Sequence, residues 1–179
     1  MRSGALLASR VVLGGYLATH GAQKLFGVFG GHGLDQTGAG FDAIGLSPGK
    51  PMAALAGAAE FGGGLLTAAG VADPLGPLAV AGAMSVAVAV HRNRGPLAAN
   101  GGYELALTNL GFAVALGVTG SGALRLGPRL PARLAVVAGL GAATFTAVSL
   151  VKVLSARPAS SAKPGALAPE PHGRISEAS

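Results

Sequence analysis

The chain has 179 residues, 50% of them hydrophobic and only 11% charged, against about 25% charged in ordinary soluble domains; the composition favours a bilayer over water as solvent and leaves a soluble helical bundle as the weaker alternative. Its net charge of +6 falls between and beside the apolar runs, without the basic stripe interleaved with aromatics that nucleic-acid binding needs, and suits anionic lipid headgroups better. There is no cysteine, so the chain can build no disulfide, no thiolate nucleophile and no Cys-based metal or iron–sulfur site.

Five apolar segments each come near the roughly 20 residues that a bilayer core of about 30 Å requires. The first runs from Leu6 to Phe26, with Arg2 before it and Arg10 early in it, just ahead of the uncharged stretch that opens at Val11; it is too long for a signal-peptide core and ends in no persuasive cleavage site, so it reads as a retained span. After it comes "GGHGLDQTGAGFDAIGLSPGK", where Leu34, Phe41, Ile44 and Leu46 recur among glycines and two aspartates. Too short and polar to span, it predicts a short amphipathic helix at the interface or a re-entrant segment. The second span is Met52 to Ala72, and a brief link at Asp73 and Pro74 forces an antiparallel hairpin with the third, Pro74 to Val90. Pro77 falls in that helix's first turn, where its missing donor costs little. The fourth span is Leu105 to Leu124 and the fifth Ala132 to Leu154, followed from Ser155 by an Ala/Pro/Ser-rich tail with no apolar period, expected to be disordered. The predicted architecture is an all-α, multi-pass cell-membrane protein: a compact bundle of four core transmembrane helices over 1–128, a fifth helix over 129–154 and the tail over 155–179. Arg2, Arg10, Arg125, Arg129 and Arg133 fall on one side and Lys24, Lys50, Arg92, Arg94 and the tail's Lys152, Arg157, Lys163 and Arg174 on the other; the tail dominates that count, and residues far from a span weigh less under the positive-inside rule, so the rule fixes no orientation.

Glu60 is the sharpest polar feature. It lies about nine residues into the second span, roughly 13 Å deep at 1.5 Å per residue, where a carboxylate pairs, protonates or lines a cavity. Lys24 is the nearest cation across the spans, and its stem can snorkel. His20, Gln23 and Lys24 stand at i, i+3 and i+4 on one helical face, which Tyr16 extends by a turn. These residues predict a polar lining turned towards Glu60, serving either a small-molecule or proton site or a buried clamp that fixes helix registry. A second polar group, His91, Asn100, Tyr103, Glu104 and Asn109, sits at the join of the third and fourth spans. Glu104 at a helix N-terminus and His91 at a C-terminus suit the helix dipole without any function, and a lone histidine there is more often a capping residue than a metal ligand. No spacing demands a metal.

Small residues recur every four positions in Gly14, Ala18 and Ala22, in Ala53 and Gly57, and in Gly64 and Ala68, and with Gly63 they predict close helix packing. The run Gly62 to Gly64 is no phosphate loop, since it follows no strand and fits no nucleotide pattern. Gly45-Leu46-Ser47-Pro48-Gly49 matches G-x-S-x-G by letter but follows no strand and so makes no nucleophile elbow, and H-E-x-x-H is absent, so no catalytic residue is assigned.

The stretches "HGAQKLFGVFGGHGLDQTGAGFDAIGLSPG", "LAGAAEFGGGLLTAAG" and "VHRNRGPLAANGGYELALTNL", in this order and spacing, resemble the DoxX family of small bacterial membrane proteins over about Arg10 to Gly122. The resemblance implies a four-helix membrane core and singles out His20, Gln23, Lys24, Glu60, Gly63, His91, Gly102 and Glu104. It also implies a redox setting: one similar protein is a subunit of a thiosulfate:quinone oxidoreductase, and another joins a superoxide dismutase and a thiosulfate sulfurtransferase in a membrane complex. The reading preferred here is a non-catalytic membrane subunit or anchor of such an oxidoreductase, dismutase or sulfurtransferase partner, with a quinone near the Lys24 and Glu60 face. A proton or small-solute transporter, compact or homo-oligomeric, and a ligand-free structural protein are the alternatives. Two departures stand out. Where the family commonly ends its fourth span with Gly-Pro-Gly and a stretch closing in Ser-Leu-Asp, this chain reads "TGSGALRLGPRLP", and Pro131 to Ser179 lies outside the resemblance.

Overall fold

The computed structural model describes residues 2–156. Among them are six α-helices and no strand: α1 Arg2–Phe26, α2 Gly33–Ala43, α3 Gly49–Ala69, α4 Leu75–His91, α5 Glu104–Thr119 and α6 Ala132–Ser155, with two 3-10 turns, Arg92–Arg94 and Ala98–Asn100, between α4 and α5. The predicted tail, apart from its first two residues, lies outside the described residues.

Three helical segments, Gly49–Ala69, Leu75–Arg94 and Ala132–Ser155, are long and apolar enough to cross a membrane by length and composition, and α5 is a shorter apolar helix. On α6, Val136, Val137, Leu140 and Val151 are 61–66% exposed. So much aliphatic surface facing outward has its natural contact in lipid tails. The chain is an integral, multi-pass membrane protein.

The most intimate helix pair is α1 with α3. Gly14 meets Gly64 and Ala68, and Gly21 meets Gly57 and Phe61, so the pair runs antiparallel; a Cβ on Gly14 or Gly64 would collide with the other helix's backbone. Backbone contact replaces side-chain interdigitation here, as expected where lipid supplies no hydrophobic drive to bring helices together. Gly14→Ala should lower stability by about 1–3 kcal/mol, the usual cost of overpacking, while Gly15→Ala, whose Cβ would meet nothing within 4 Å, should be neutral or slightly stabilising. Urea unfolding in mixed micelles measures both.

Helix α4 is the central post, packed by α3, α5 and α6. Leu13 and Leu17 of α1, Val80 and Met84 of α4, and Ala113 and Leu116 of α5 form one core cluster. A second joins Leu46, Ala89 of α4 and Val153 of α6. The α4–α6 contacts advance together, from Leu78 beside Gly139 to Gly82 beside Thr146, so these two helices are parallel.

Several predicted boundaries shift for local reasons. Helix α3 begins at Gly49, three residues before the expected Met52, because Asp42 Oδ1 accepts hydrogen bonds from Gly49 N (2.8 Å) and Ser47 Oγ (2.7 Å) and thereby caps its start. It stops at Ala69 because Gly70 turns left-handed (φ 65°) and returns its N–H to the last turn. The expected fourth span is also shorter: α5 ends at Thr119, where Gly120 (φ 75°) breaks it, and residues 121–124 leave the helix. The segment between α1 and α3 contains the predicted short helix, α2.

Candidate functional site

The C-terminal ends of α1, α4 and α6 and the N-terminal ends of α3 and α5 meet at one end of the bundle, roofed by α2. Glycine sets the site's geometry: a Cβ on Gly57 would lie 2.8 Å from Leu25 Cδ2 and 3.4 Å from Lys24 Cβ. That close approach delivers Lys24, in the last turn of α1, to Glu60, and Lys24 Nζ donates to Glu60 Oε2. Glu60 is eleven residues past Gly49, deeper than the sequence count gave, at roughly 16 Å along the helix. Its side chain is 6% exposed against 26% for Lys24, so the cation has a route outward that the carboxylate lacks.

The other predicted residues separate. His20 meets Tyr16 edge-on, with ring centroids 4.5 Å apart, and lines the same space as Lys24. Gln23 borders the same space as His20 but is engaged elsewhere: its Nε2 donates to Phe29 O at 3.1 Å, pinning the loop after α1 where Phe29 holds a positive φ of 53°. His91 Nδ1 lies 2.9 Å from Gly101 O; a carbonyl only accepts, so Nδ1 is the donor and Nε2 is left for the cavities. Glu104 Oε2 accepts from Ala98 N at 2.9 Å and so stabilises the 92–103 turn. Asn100 is exposed on that turn, Tyr103 is half-buried just before α5, and Asn109 faces a groove shared with Tyr16 and His20. Gly102 is wedged against the 95–97 backbone, and Gly63 against Ala79 and Gly76 of α4.

Three cavities adjoin the ion pair. A chamber of about 380 Å³ lies between α3, α4 and α6 with mostly aliphatic walls, Leu46, Met52, Ala59 and Val86 among them. A vestibule of about 690 Å³ sits under α2, beside His20, Gln23, His32 and Arg94. A groove of about 280 Å³ runs towards α5. Lys24 and His91 border all three, and Glu60 borders the chamber and the groove. Among the described residues, no group of three or more His, Cys, Asp or Glu is placed to hold a metal.

The opposite end of the bundle holds a polar arrangement that the sequence reading did not anticipate. Arg10, counted in the sequence among the charges at the outer end of the first span, is 2% exposed inside α1. Its Nη1 donates to Ser121 O at 2.7 Å and its Nη2 to Leu124 O. Asp73 Oδ2 accepts from Ser121 N at 3.0 Å and faces Arg129 Nε at 3.5 Å. The stretch "TGSGALRLGPRLP", which lacks its own aspartate, thus finds a carboxylate in the α3–α4 link. Backbone bonds from Leu126 to Ala69, Leu130 to Asp73 and Ala72 to Pro128 complete the latch.

Residues 5–92 match the DoxX family model. The chain carries a DoxX domain. Neither curated proteins nor solved structures return a match. The matched stretch ends at residue 92, one residue past α4, so it contains His20, Gln23, Lys24, Glu60 and His91 but stops short of Gly102 and Glu104. Helix α6, which closes the chamber, lies beyond it.

Proposed function

We propose that this DoxX chain is a non-catalytic membrane subunit of a redox system and holds a quinone-type carrier for an oxidoreductase partner. The observation that supports it is the chamber: its volume falls within the range of ligand pockets, and its aliphatic walls end at a small polar cluster, the pattern of a site that orients an amphiphile. A quinone supplies two-electron, two-proton carriage. Around it, Lys24 Nζ has donors beyond the one given to Glu60, and His91 Nε2 can accept or, when the ring is charged, donate. Lys24 and His91 would position a carbonyl oxygen and hold protons near it, while the apolar walls keep the tail out of water. The electrons belong to the partner, since a chain without cysteine and without a recognised catalytic motif has no evident means of handling thiols or sulfur itself.

The test is purification of the tagged full chain from native membranes in mild detergent, with quinone measured in the lipid extract and partners identified by mass spectrometry. Wild type should yield roughly one quinone per chain together with an oxidoreductase, dismutase or sulfurtransferase. Ala59→Phe, which places a ring in the chamber, should lose the quinone at least tenfold while remaining monodisperse and keeping the partner. An extract without quinone and a chain without partner would overturn the proposal and direct attention to flux measurements in vesicles.

A further inference from the structure

Ser149 is 1% exposed, and its hydroxyl has no hydrogen-bond partner. In a membrane helix such a hydroxyl normally returns to the carbonyl four residues back. Thr19, Thr67, Ser85 and Thr119 all do so, at 2.7–3.0 Å. Ser149 does not, although a buried unpaired hydroxyl is costly. It lines the chamber wall formed by α6, one turn from Thr146, with α3 and its ion pair on the other side. Of the ionisable groups bordering the chamber among the described residues, Lys24 and Glu60 are bonded to each other and His91 gives its Nδ1–H to Gly101 O. An ammonium head would have to break the Lys24–Glu60 pair to find a counter-charge, and a phosphate head would have to break it or protonate the His91 ring. The chamber also has a way in from lipid: α6 packs along α4 and is fastened near its end by Lys152 Nζ to Ser47 O at 2.8 Å, while Leu55 of α3 and Phe145 of α6, both chamber residues, are 50% and 37% exposed.

From these observations, and resting on the chamber reading above, we infer that Ser149 is a specificity-determining contact and that the chamber takes uncharged amphiphiles with a hydrogen-bonding head, admitted sideways between α3 and α6. Ser149 supplies one hydrogen bond to the head. The paired Lys24 and Glu60 offer polarity without net charge and so discriminate against ionic lipids.

The experiment uses the full chain in nanodiscs, with empty nanodiscs as blank, and equilibrium dialysis of four probes sharing a decyl tail: decylbenzoquinone, decanol, decyl phosphate and decyltrimethylammonium. The variants are Ser149→Thr and Ser149→Val, which are isosteric and differ in the hydroxyl, so any packing disturbance is common to both. The neutral probes should bind saturably, Ser149→Val should bind them roughly five- to tenfold more weakly than Ser149→Thr, and the charged probes should not saturate. Equal affinities in the two variants, or decyl phosphate binding as tightly as decanol, would overturn the inference. Decanol binding that depends on the hydroxyl, without decylbenzoquinone binding, upholds the inference and removes the quinone. Decylbenzoquinone binding that ignores the hydroxyl does the reverse.

Discussion

Lys24→Met should destabilise the protein by about 3–5 kcal/mol, the usual cost of stranding one member of a buried ion pair. Glu60→Leu should cost less. The difference follows from burial: Lys24 is 26% exposed and can swing its ammonium into the vestibule, whereas Glu60 at 6% has no way out. The double variant Lys24→Met/Glu60→Leu should return to within about 1 kcal/mol of wild type, because well-packed apolar residues commonly replace such a pair at no loss. Urea unfolding in mixed micelles gives the stabilities, and probe binding in nanodiscs gives the function. A registry clamp predicts that the double variant recovers everything; a ligand site predicts recovered stability with binding still lost. Equal penalties for the two single variants would contradict the burial argument itself.

Arg10→Leu should cost about 2–4 kcal/mol. It removes two hydrogen bonds from a charged donor to the Ser121 and Leu124 carbonyls, each worth about 1.5–3 kcal/mol, less the desolvation that a buried guanidinium no longer incurs. Arg10→Lys should recover little of it, since one ammonium cannot span two carbonyls as a planar fork does. The damage should be local. Hydrogen exchange should rise at Ser121, Leu126 and Leu130, whose amides bond to Asp73 and Ala69, and trypsin should cut after Arg125 and Arg129. The α1–α3 contact around Gly14 and Gly64 should keep its protection. Unchanged exchange over 120–130 would show that Asp73 and the backbone bonds hold the latch without Arg10.

The apolar runs revealed the existence of the helices, because an uncharged stretch near 20 residues long has few other readings. Helical spacing, with Lys24 the nearest cation, also brought it towards Glu60. Arg10 escaped because a basic residue near the start of a first span ordinarily flanks it, and only its distant acceptors, Ser121 and Leu124, make it an interior residue. The end of α5 escaped because Ala123 and Leu124 continue the apolar composition; the positive φ of Gly120 breaks the helix, and composition carries no φ. The role of α6 was hidden for a broader reason. A helix bathed in lipid needs no single apolar face, so hydropathy announces the helix but not its neighbour. The one available signal was a pair of hydroxyls, Thr146 and Ser149, three residues apart on one helical side. Gln23 shared a face with Lys24 yet went to Phe29, since spacing sets direction but loop geometry chooses the partner.

The parallel packing of α4 and α6 bears on sidedness. Helix α1 starts at the latch, the direction reverses between α3, α4 and α5, and α6 runs back alongside α4 to finish beside Ser47, where α2 meets α3. Counted as crossings with the three long apolar segments, α1 and α5 would bring the passes to five, an odd number, and the two ends of the described chain would open onto different aqueous compartments. A reporter fused before α1 and one fused after α6 should therefore give opposite topology signals. A soluble partner that reaches the vestibule would then share its compartment with the C-terminal reporter, and the Arg10 latch would face the other side of the membrane.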